Sequence, residues 1–411
     1  NLTLAGNVDL GGANQTINVV NTGSTTLSGV LSHGGLVKSG AGVLALAGSN
    51  AYSGGTTLGA GTLNLSHQYA LQNSTLTMTG GGNLAFDSSV SSNAFNLGGL
   101  IAASSGPGYD ITLLNNAALP NPITLTVGGN NASTTYAGVL SDTYLGASLG
   151  GSLVKAGTGA LYLTGNHSYT GGTSIAAGTL TLGPTAGLGD TAITVGSGAV
   201  FAPHPQPTAN GGTITAGNSA ASLTVNAGGV FDMSGDSAAG TFQVNGGYNP
   251  LTLSGGTLGF DLVGSSGDQL SVSGFAATVS GINTIRITGV GALTQPYYPL
   301  ITGVTYGLDG GTFVLASTSV TSGGKTYGLT LRTDGGYEED VLVSAINTNN
   351  SLLALSAGSL AMSVHMGDTT TLTTASVTNS GTDAGSFTAV AAPRSRSRTP
   401  TTPRIRASRK A

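Results

Sequence analysis

Ser148 is the residue that comes closest to a catalytic nucleophile in this sequence. It lies in a G-x-S-x-G run from Gly146 to Gly150, which in α/β-hydrolases forms the sharp turn between a buried strand and a helix. In a chain with 69 glycines, about one such run is expected by chance. This run also falls in a short insertion before a repeated segment. The sequence therefore predicts no catalytic serine.

Side chains that could bind a metal are few and scattered. The histidines show no H-x-x-x-H spacing, and there is no cysteine to complete a zinc site. They are His33, His67, His167, His204 and His365. An acidic cluster of Asp334, Glu338, Glu339 and Asp340 offers oxygen ligands for calcium, but neither the EF-hand nor the G-G-x-G-x-D pattern is present. We predict a solvated loop there, an exposed His167, and no metal, cofactor or catalytic residue.

The composition favours strands and turns over helices. Only 7% of residues are charged, 5% are aromatic, and there is no tryptophan. Hydrophobic residues make up 39%, which excludes charge-driven disorder. No strongly apolar stretch reaches the ~18 residues that a membrane-spanning helix needs. These features predict an all-β protein with many glycine turns.

The charges are distributed unevenly along the chain. The part before Arg394 holds all the acids and only five bases, whereas 394–411 holds seven bases and no acid. Because the composition changes abruptly after Val390, we expect 391–411 to be a disordered basic tail, or the product of a frameshift, and not a nucleic-acid-binding segment. The chain opens at Asn1 without a signal peptide, and we expect one to precede it in the intact protein.

An internal repeat organises the first half. Residues 37–65 and 154–182 are identical at 16 of 29 positions with a constant offset of 117. Leu44 and Leu46 recur as Leu161 and Leu163, whereas the residues between them vary. This period-2 pattern is typical of strands with one buried face. It predicts three short strands per copy, at about 43–47, 56–58 and 62–65 in the first.

The inward pairs recur about every 20 residues, which predicts a parallel β-helix. About 340 residues at that spacing would form a rod of ~80 Å. The competing fold is a set of antiparallel sandwiches with Asn-Gly or Asp-Gly hairpins. Such pairs occur only in the second half, at Asn210-Gly211, Asn245-Gly246, Asp309-Gly310 and Asp334-Gly335, so the β-helix is better supported in the first half.

The repeated motif resembles the autotransporter-associated β-strand repeat. The matching residues that we expect to have structural roles are Lys38, Gly40, Gly42, Leu44, Leu46, Gly48, Tyr52, Gly54, Gly55, Thr56, Gly61, Thr62, Leu63 and Leu65 in the first copy, and Lys155, Gly157, Gly159, Leu161, Leu163, Gly165, Tyr169, Gly171, Gly172, Thr173, Gly178, Thr179, Leu180 and Leu182 in the second. His167 stands where the first copy has Asn50.

The resemblance implies a right-handed parallel β-helix from a bacterial passenger protein, outside the cell or on its surface. It also implies that the repeats assist secretion and folding. Implied partners are an outer-membrane secretion barrel or another anchor missing from this sequence, and glycans or proteins of host cells, neighbouring cells or the matrix. The predicted domains are a β-helix at 1–345, a linker with a truncated Ig-like β-sandwich at 346–390, and the tail at 391–411.

Three classes of function are compatible with the sequence, and one of them is a binding module in which outward threonine, asparagine and serine present an adhesive face to glycans or other cells. We favour a non-enzymatic structural scaffold with an adhesive role. The alternative is a β-helix polysaccharide lyase or glycoside hydrolase, which needs carboxylates gathered on one face. The bases before Arg394 are far apart, and tryptophan, the usual side chain for stacking on sugars, is absent. Outward threonine and asparagine ladders also suit self-association.

Overall fold

The computed structural model describes residues 1–335, apart from 21–22, 184–185, 190, 204–212, 217–221, 236–237 and 296, and the backbone of 339–347, 353–355, 377–379, 387–391 and 405–409. Side chains are described up to residue 332, except those of 213–216. The predicted partial sandwich at 346–390 and the predicted disordered tail at 391–411 otherwise lie outside the described residues, and both stay predictions.

The described chain is built from strands and one short 3₁₀ helix. The first strands are β1 (Leu2–Leu4), β2 (Val8–Asp9), β3 (Asn14–Asn18), β4 (Ser24–Leu27), β5 (Leu31–Ser32), β6 (Gly35–Ser39), β7 (Val43–Leu46), β8 (Thr56–Leu58), β9 (Gly61–Leu65), β10 (Leu71–Met78), β11 (Gly82–Phe86), β12 (Ala94–Ala102), β13 (Ile111–Thr112), β14 (Thr124–Val127), β15 (Thr134–Tyr136), β16 (Leu140–Ser141), β17 (Thr143–Tyr144), β18 (Ala147–Ser148), β19 (Ser152–Lys155), β20 (Ala160–Leu163), β21 (Thr173–Ile175) and β22 (Gly178–Leu182).

The later strands are β23 (Ala192–Val195), β24 (Ala199–Pro203), β25 (Thr213–Ala216), β26 (Ser222–Val225), β27 (Val230–Asp232), β28 (Thr241–Asn245), β29 (Leu251–Ser254), β30 (Thr257–Val263), β31 (Ser266–Gly267), β32 (Gln269–Ser280), β33 (Ile282–Val290), β34 (Tyr298–Tyr306), β35 (Thr312–Leu315), β36 (Ser319–Ser322), β37 (Lys325–Gly335), β38 (Glu339–Asn347), β39 (Leu353–Leu355), β40 (Val377–Asn379), β41 (Phe387–Ala391) and β42 (Ile405–Arg409), with the 3₁₀ helix at Leu308–Gly310.

One ladder of parallel strands runs without interruption from Asn14 to Leu315, and we call it the axial ladder. It passes in order through β3, β6, β8, β10, β12, β15, β20, β22, β24, β27, β30, β33 and β35. Each strand lies one turn of chain beyond the strand it pairs with. The fold is therefore a parallel β-helix, which confirms the predicted fold class.

Two further sides complete each coil. On one side, which we call the threonine face, the ladder runs from the first half of β12 through β14, β19, β21, β23, β26 and β29 to the second half of β32. On the third side, β1, β4, β7, β9 and β11 pair in the N-terminal half, and β25, β28, β32 and β34 pair in the C-terminal half.

The rod is shorter than the sequence predicts. Coils within the repeats keep the expected spacing of about 20 residues, because Lys38 pairs with Leu58 and Leu163 pairs with Leu182. Many of the coils outside the repeats are longer, as between Ala102 and its partner Tyr136. The strands of the axial ladder span about 58 Å, so the predicted ~80 Å is wrong because many coils outside the repeats contain more than about 20 residues.

Beyond the first coil, the inward side of the coils is largely apolar and closely packed. The predicted inward leucines are all buried: Leu44, Leu46, Leu63, Leu65, Leu161, Leu163, Leu180 and Leu182 are at most 1% exposed. The outward residues of the threonine face form a column of neighbours in register on successive coils: Thr126, Val154, Ser174, Thr194, Thr224, Thr252 and Thr278. This threonine column is partly or fully exposed and carries no charged side chain.

The two repeats lie on different sides of the rod. Lys38, in the first strand of the first copy, belongs to the axial ladder. In the second copy the axial ladder passes through Leu163, in the second strand, whereas Lys155 lies on the threonine face. The offset between the copies is therefore not a whole number of coils, and the second copy is turned by one side relative to the first.

Parallel pairing ends at Leu315. β36, β37 and β38 pair antiparallel, and β38 also pairs antiparallel with β34. Asp334 and Gly335 are the last residues of β37 and pair with Asp340 and Glu339, whereas Asn245-Gly246 closes a strand of the parallel stack and Asp309-Gly310 lies in the 3₁₀ helix. Asn210-Gly211 lies outside the described residues. The described chain contains no helix with the length and apolar character to cross a membrane.

Candidate functional site

Each repeat encloses a fully buried lysine. Lys38 Nζ donates hydrogen bonds to the carbonyl oxygens of Ser39, Gly40 and Ala60, at 2.9, 2.7 and 2.9 Å. Lys155 makes the equivalent set in the second copy, at 2.6, 2.9 and 3.1 Å from the carbonyl oxygens at 156, 157 and 177. The three N–H groups of one ammonium thus match three carbonyls, two from its own corner and one from the next coil.

Burial and hydrogen bonding act on these ammonium groups in opposite directions. Burial lowers the pKa of Lys155 to about 8 and lowers the pKa of Lys38 as well. The three carbonyl oxygens favour the charged form because they accept hydrogen bonds from it. The site therefore holds a cation that has no carboxylate partner in the described residues and is stabilised by backbone dipoles instead.

Two glycines make room for the lysine corner. Gly61 and Gly178 occupy equivalent positions with φ values of +67° and +65°. A Cβ on Gly178 would lie 2.8 Å from Lys155 Nζ and 2.4 Å from the carbonyl oxygen of Gly157. Both the backbone conformation and the space therefore require glycine here.

A chain of buried hydroxyls lies beside each lysine corner. Tyr52 Oη lies 2.7 Å from Thr56 Oγ1, which lies 2.8 Å from Ser74 Oγ, and Ser74 donates to the carbonyl of Gly54 at 2.6 Å. The second copy repeats this chain through Tyr169, Thr173 and Thr191. Burial raises the pKa of Tyr52 to about 12. These hydroxyls connect successive coils and stay protonated, so they are unsuited to acid–base chemistry near neutral pH.

His167 is buried, with 3% of its surface exposed, so the prediction of an exposed histidine is wrong. At the equivalent place in the first copy, Asn50 Oδ1 accepts the N–H of Leu31 at 2.9 Å and Nδ2 donates to the carbonyl of Ala70 at 3.0 Å. His167 Nδ1 accepts the N–H of Leu140 at 3.0 Å, which places the proton of the neutral ring on Nε2. Nε2 has no hydrogen-bond partner among the described residues. Burial lowers the pKa of His167 to about 4.

Ser148 lies in an exposed hairpin that leaves the coil. β17 and β18 pair antiparallel around Leu145 and Gly146, which have φ values of 49° and 85°. No helix follows, so the structure lacks the strand–turn–helix arrangement of a nucleophile elbow. Asp142 holds the base of the hairpin, because its Oδ2 accepts the backbone N–H groups of Gly150, Gly151 and Thr170 at 2.8 to 3.0 Å.

The two buried aspartates that come closest to a catalytic carboxylate pair accept hydrogen bonds from backbone N–H groups. Asp261 and Asp268 are fully buried on either side of the β30–β31 hairpin. Asp268 accepts the N–H groups of Gly240 and Asp261 at 2.9 and 2.7 Å, and Asp261 accepts that of Gly235 at 2.9 Å. These carboxylates stabilise loops where the chain departs from the parallel ladder. A glycosidase pair, in contrast, must face a substrate.

The other candidate ligands do not converge. Among the side chains that the structure describes, no group of three or more histidine, aspartate or glutamate residues is close enough to hold a metal ion. His33 pairs with Asp9 at 3.1 Å on the surface, and His67 contacts the ring of Tyr69. His204, His365 and the side chains of the acidic cluster at 334–340 lie outside the described residues.

The architecture defines a parallel β-helix with two embedded repeats, each closed by a buried lysine. Residues 36–65 and 153–182 match the family described as passenger-associated transport repeat. The predicted resemblance is thus confirmed for these two segments, and the chain is an extracellular or cell-surface bacterial protein with a passenger-type role.

Other comparisons add little to this assignment. No curated protein matches the chain. Among solved structures, the crystal structure of the Haemophilus influenzae Hap adhesin aligns with 82% of this chain and 49% of its own, at 14% sequence identity and a TM-score of 0.27. The chain thus spans about half the length of that adhesin chain, and at this TM-score the alignment carries no structural detail over.

Proposed function

We propose that the chain is the structural β-helix of an exported passenger, and that it presents an adhesive surface to cells or extracellular material. The observation that carries this proposal is the pair of passenger-associated transport repeats embedded in one continuous parallel β-helix. A rod with few charges and an uninterrupted outward column of small hydroxyl and methyl groups offers a long contact surface and little material for catalysis.

The repeats have a physical reason to assist folding after export. Their coils, such as those from Lys38 to Leu58 and from Leu163 to Leu182, are shorter than most of the other coils. Closing a shorter loop costs less conformational entropy, and contacts between residues close in sequence form faster. Each lysine adds a bond from its own corner to the next coil. We therefore infer that the repeats close first and give later coils a strand edge to pair with.

The adhesive role can be tested with the full chain coated on inert beads. We expect coated beads to adhere to cells or to matrix preparations above the level of beads coated with an unrelated uncharged protein. Adhesion at the level of the control beads would contradict the adhesive part of the proposal and leave a scaffold alone.

The enzymatic alternative has a separate test. A polysaccharide lyase or glycoside hydrolase would release reducing sugars or unsaturated products from soluble polysaccharides, including acidic ones supplied with calcium. We expect no release above buffer after long incubation. Product formation that survives repurification would overturn the non-enzymatic assignment.

A further inference from the structure

Three exposed aromatic side chains form one contact group near the C-terminal end of the β-helix. Tyr248, Phe275 and Tyr306 are 69%, 61% and 42% exposed. Only two other aromatic residues with described side chains are comparably exposed, Tyr69 and Tyr297. Eleven of the twenty phenylalanine and tyrosine side chains that the structure describes lie in the core, so a cluster of three on the surface calls for an explanation outside folding. We call it the aromatic cluster.

The cluster is ordered by contacts between successive coils. The rings of Tyr248 and Phe275 are stacked, with 6.1 Å between centroids and 14° between planes. The hydroxyl oxygens of Tyr248 and Tyr306 lie 2.9 Å apart. Tyr248 therefore has Phe275 against one face and a fixed hydroxyl. Since 69% of Tyr248 is still exposed, its other face is open to solvent as a flat apolar plate.

Uncharged polar groups border this plate. Asn249 follows Tyr248 and donates from Nδ2 to Thr278 Oγ1 at 2.6 Å, and both residues are exposed. Thr278 is the last member of the threonine column. The aromatic cluster thus continues a line of hydroxyl and methyl groups that extends along the rod for about 29 Å. Neither the cluster nor the column contains a charged side chain.

We propose that the aromatic cluster and the adjoining threonine column bind an uncharged polysaccharide. The inference rests on the proposed adhesive function and names its ligand class. A pyranose ring presents a face of C–H groups that stacks on an aromatic plate, and its rim of hydroxyls needs neighbouring amides and hydroxyls. Tyr248 supplies the plate, and Asn249 and Thr278 supply the polar groups.

Length and charge distinguish this ligand from others. A surface that repeats once per coil fits a ligand that repeats along its own length, as a polysaccharide does. An anionic polysaccharide would lose hydration at this surface and find no cation there in return. A folded protein partner would be expected to meet a mixed polar rim that includes charged groups, which this surface does not provide.

The test measures retention of the full chain on insoluble cellulose, chitin and β-1,3-glucan, with alginate and heparin beads as anionic probes. We expect at least one neutral polymer to retain the chain, equally at low salt and at high salt, because no ion pair contributes. The double variant Tyr248→Ala/Phe275→Ala should bind about tenfold more weakly or worse. Tyr248→Phe keeps the plate and should stay within about threefold of the parent.

Tyr69→Ala is the matched control, because it removes an exposed ring elsewhere and should leave retention unchanged. All variants should stay folded and melt within about 5 °C of the parent, since the replaced rings lie on the surface and only their mutual contacts are lost. Retention on none of the neutral polymers, preference for the anionic beads, or equal retention of the double variant would each overturn the inference.

Bead adhesion separates this inference from the proposed function. If the parent adheres to cells and the double variant adheres equally well, adhesion uses another surface, which contradicts the inference alone. If beads coated with the double variant lose adhesion to cells while retention of this variant on the polysaccharides is unchanged, the cluster binds a protein and the ligand class is wrong. The parent could also fail to adhere to any cell while its retention on the polymers still depends on the cluster. That result would contradict the proposed adhesive function and leave this inference standing.

Discussion

His167 and Asn50 occupy equivalent positions in the two repeats but form different hydrogen bonds with the neighbouring coils. Asn50 satisfies a donor and an acceptor on neighbouring coils, whereas His167 satisfies only the donor. A buried imidazole that stays neutral inside the fold down to about pH 4 ionises at a higher pH once the chain unfolds. The second repeat therefore carries a sensitivity to acid that the first lacks.

We predict that the parent protein loses stability as the pH falls from about 6.5 to about 4, on the order of 3 kcal/mol from this residue. The pKa of His167 is lowered to about 4 in the folded state, so the unfolded chain binds more protons throughout this window. His167→Asn should remove this part of the pH dependence. Urea unfolding of parent and variant at several pH values measures it, with exposed His33→Asn as the control.

The lysine corner yields a second prediction at the residue scale. Lys155→Met keeps the length of the side chain but leaves the carbonyls of Ala156, Gly157 and Ala177 without this donor. We expect a loss of about 2 to 4 kcal/mol, and a similar loss for Lys38→Met. Lys325→Met, at an exposed lysine, should change the free energy of unfolding by less than about 0.5 kcal/mol. Equal losses at Lys155 and Lys325 would show that the buried hydrogen bonds contribute nothing.

At the scale of the strand, alternation between buried and outward residues decides which substitutions the fold tolerates. Leu163 is fully buried, and Thr181, on the next coil, points outward. Leu163→Asp should cost more than about 4 kcal/mol, because it buries an unpaired charge and removes apolar contacts. Thr181→Asp should cost less than about 1 kcal/mol. Thermal melting compares them, and similar melting temperatures would contradict the assignment of faces.

The sequence was informative where one strand pattern occurred twice. Alternation in the two copies predicts the buried leucines and the strands of each repeat, because each inward position must match the coil below it. It could not predict the longer coils outside the repeats, since their extra residues form loops that no period constrains. The aromatic cluster was equally hidden, because Tyr248, Phe275 and Tyr306 come together only through the register of three coils.

The candidate site shows the same limit. The paired lysines could be recognised as equivalent from the sequence, but their burial could not, because lysine is almost always exposed. The glycines near each lysine were the available signal, because they allow a tight corner. Such a corner brings backbone carbonyls close enough together to bind an ammonium group without a carboxylate. The burial of His167 could not be recognised either, because asparagine, its equivalent in the other copy, is also a mostly exposed residue type.

For the whole molecule, stability should be distributed along the stack, because each coil contacts mainly its neighbours. Leu46→Ala and Leu182→Ala lie several coils apart, and their costs, about 2 to 5 kcal/mol each, should add within about 0.5 kcal/mol. Leu163→Ala and Leu182→Ala lie on adjacent coils in register, and their effects should deviate from additivity by more than that. Double-mutant cycles in urea unfolding measure the coupling energy of each pair of substitutions. Equal coupling energies for the distant pair and the adjacent pair would contradict a stack in which each coil contacts mainly its neighbours.

The axial ladder also determines how the protein responds to pulling. Its interstrand hydrogen bonds point along the rod, so a tensile force on the two ends loads the coil interfaces in series, and the weakest interface opens first. The long coil from Ala102 to Tyr136 would release about 115 Å of extended chain, whereas the repeat coil from Leu163 to Leu182 would release about 65 Å. Under shear, the molecule would lengthen in unequal steps and act as an extensible tether.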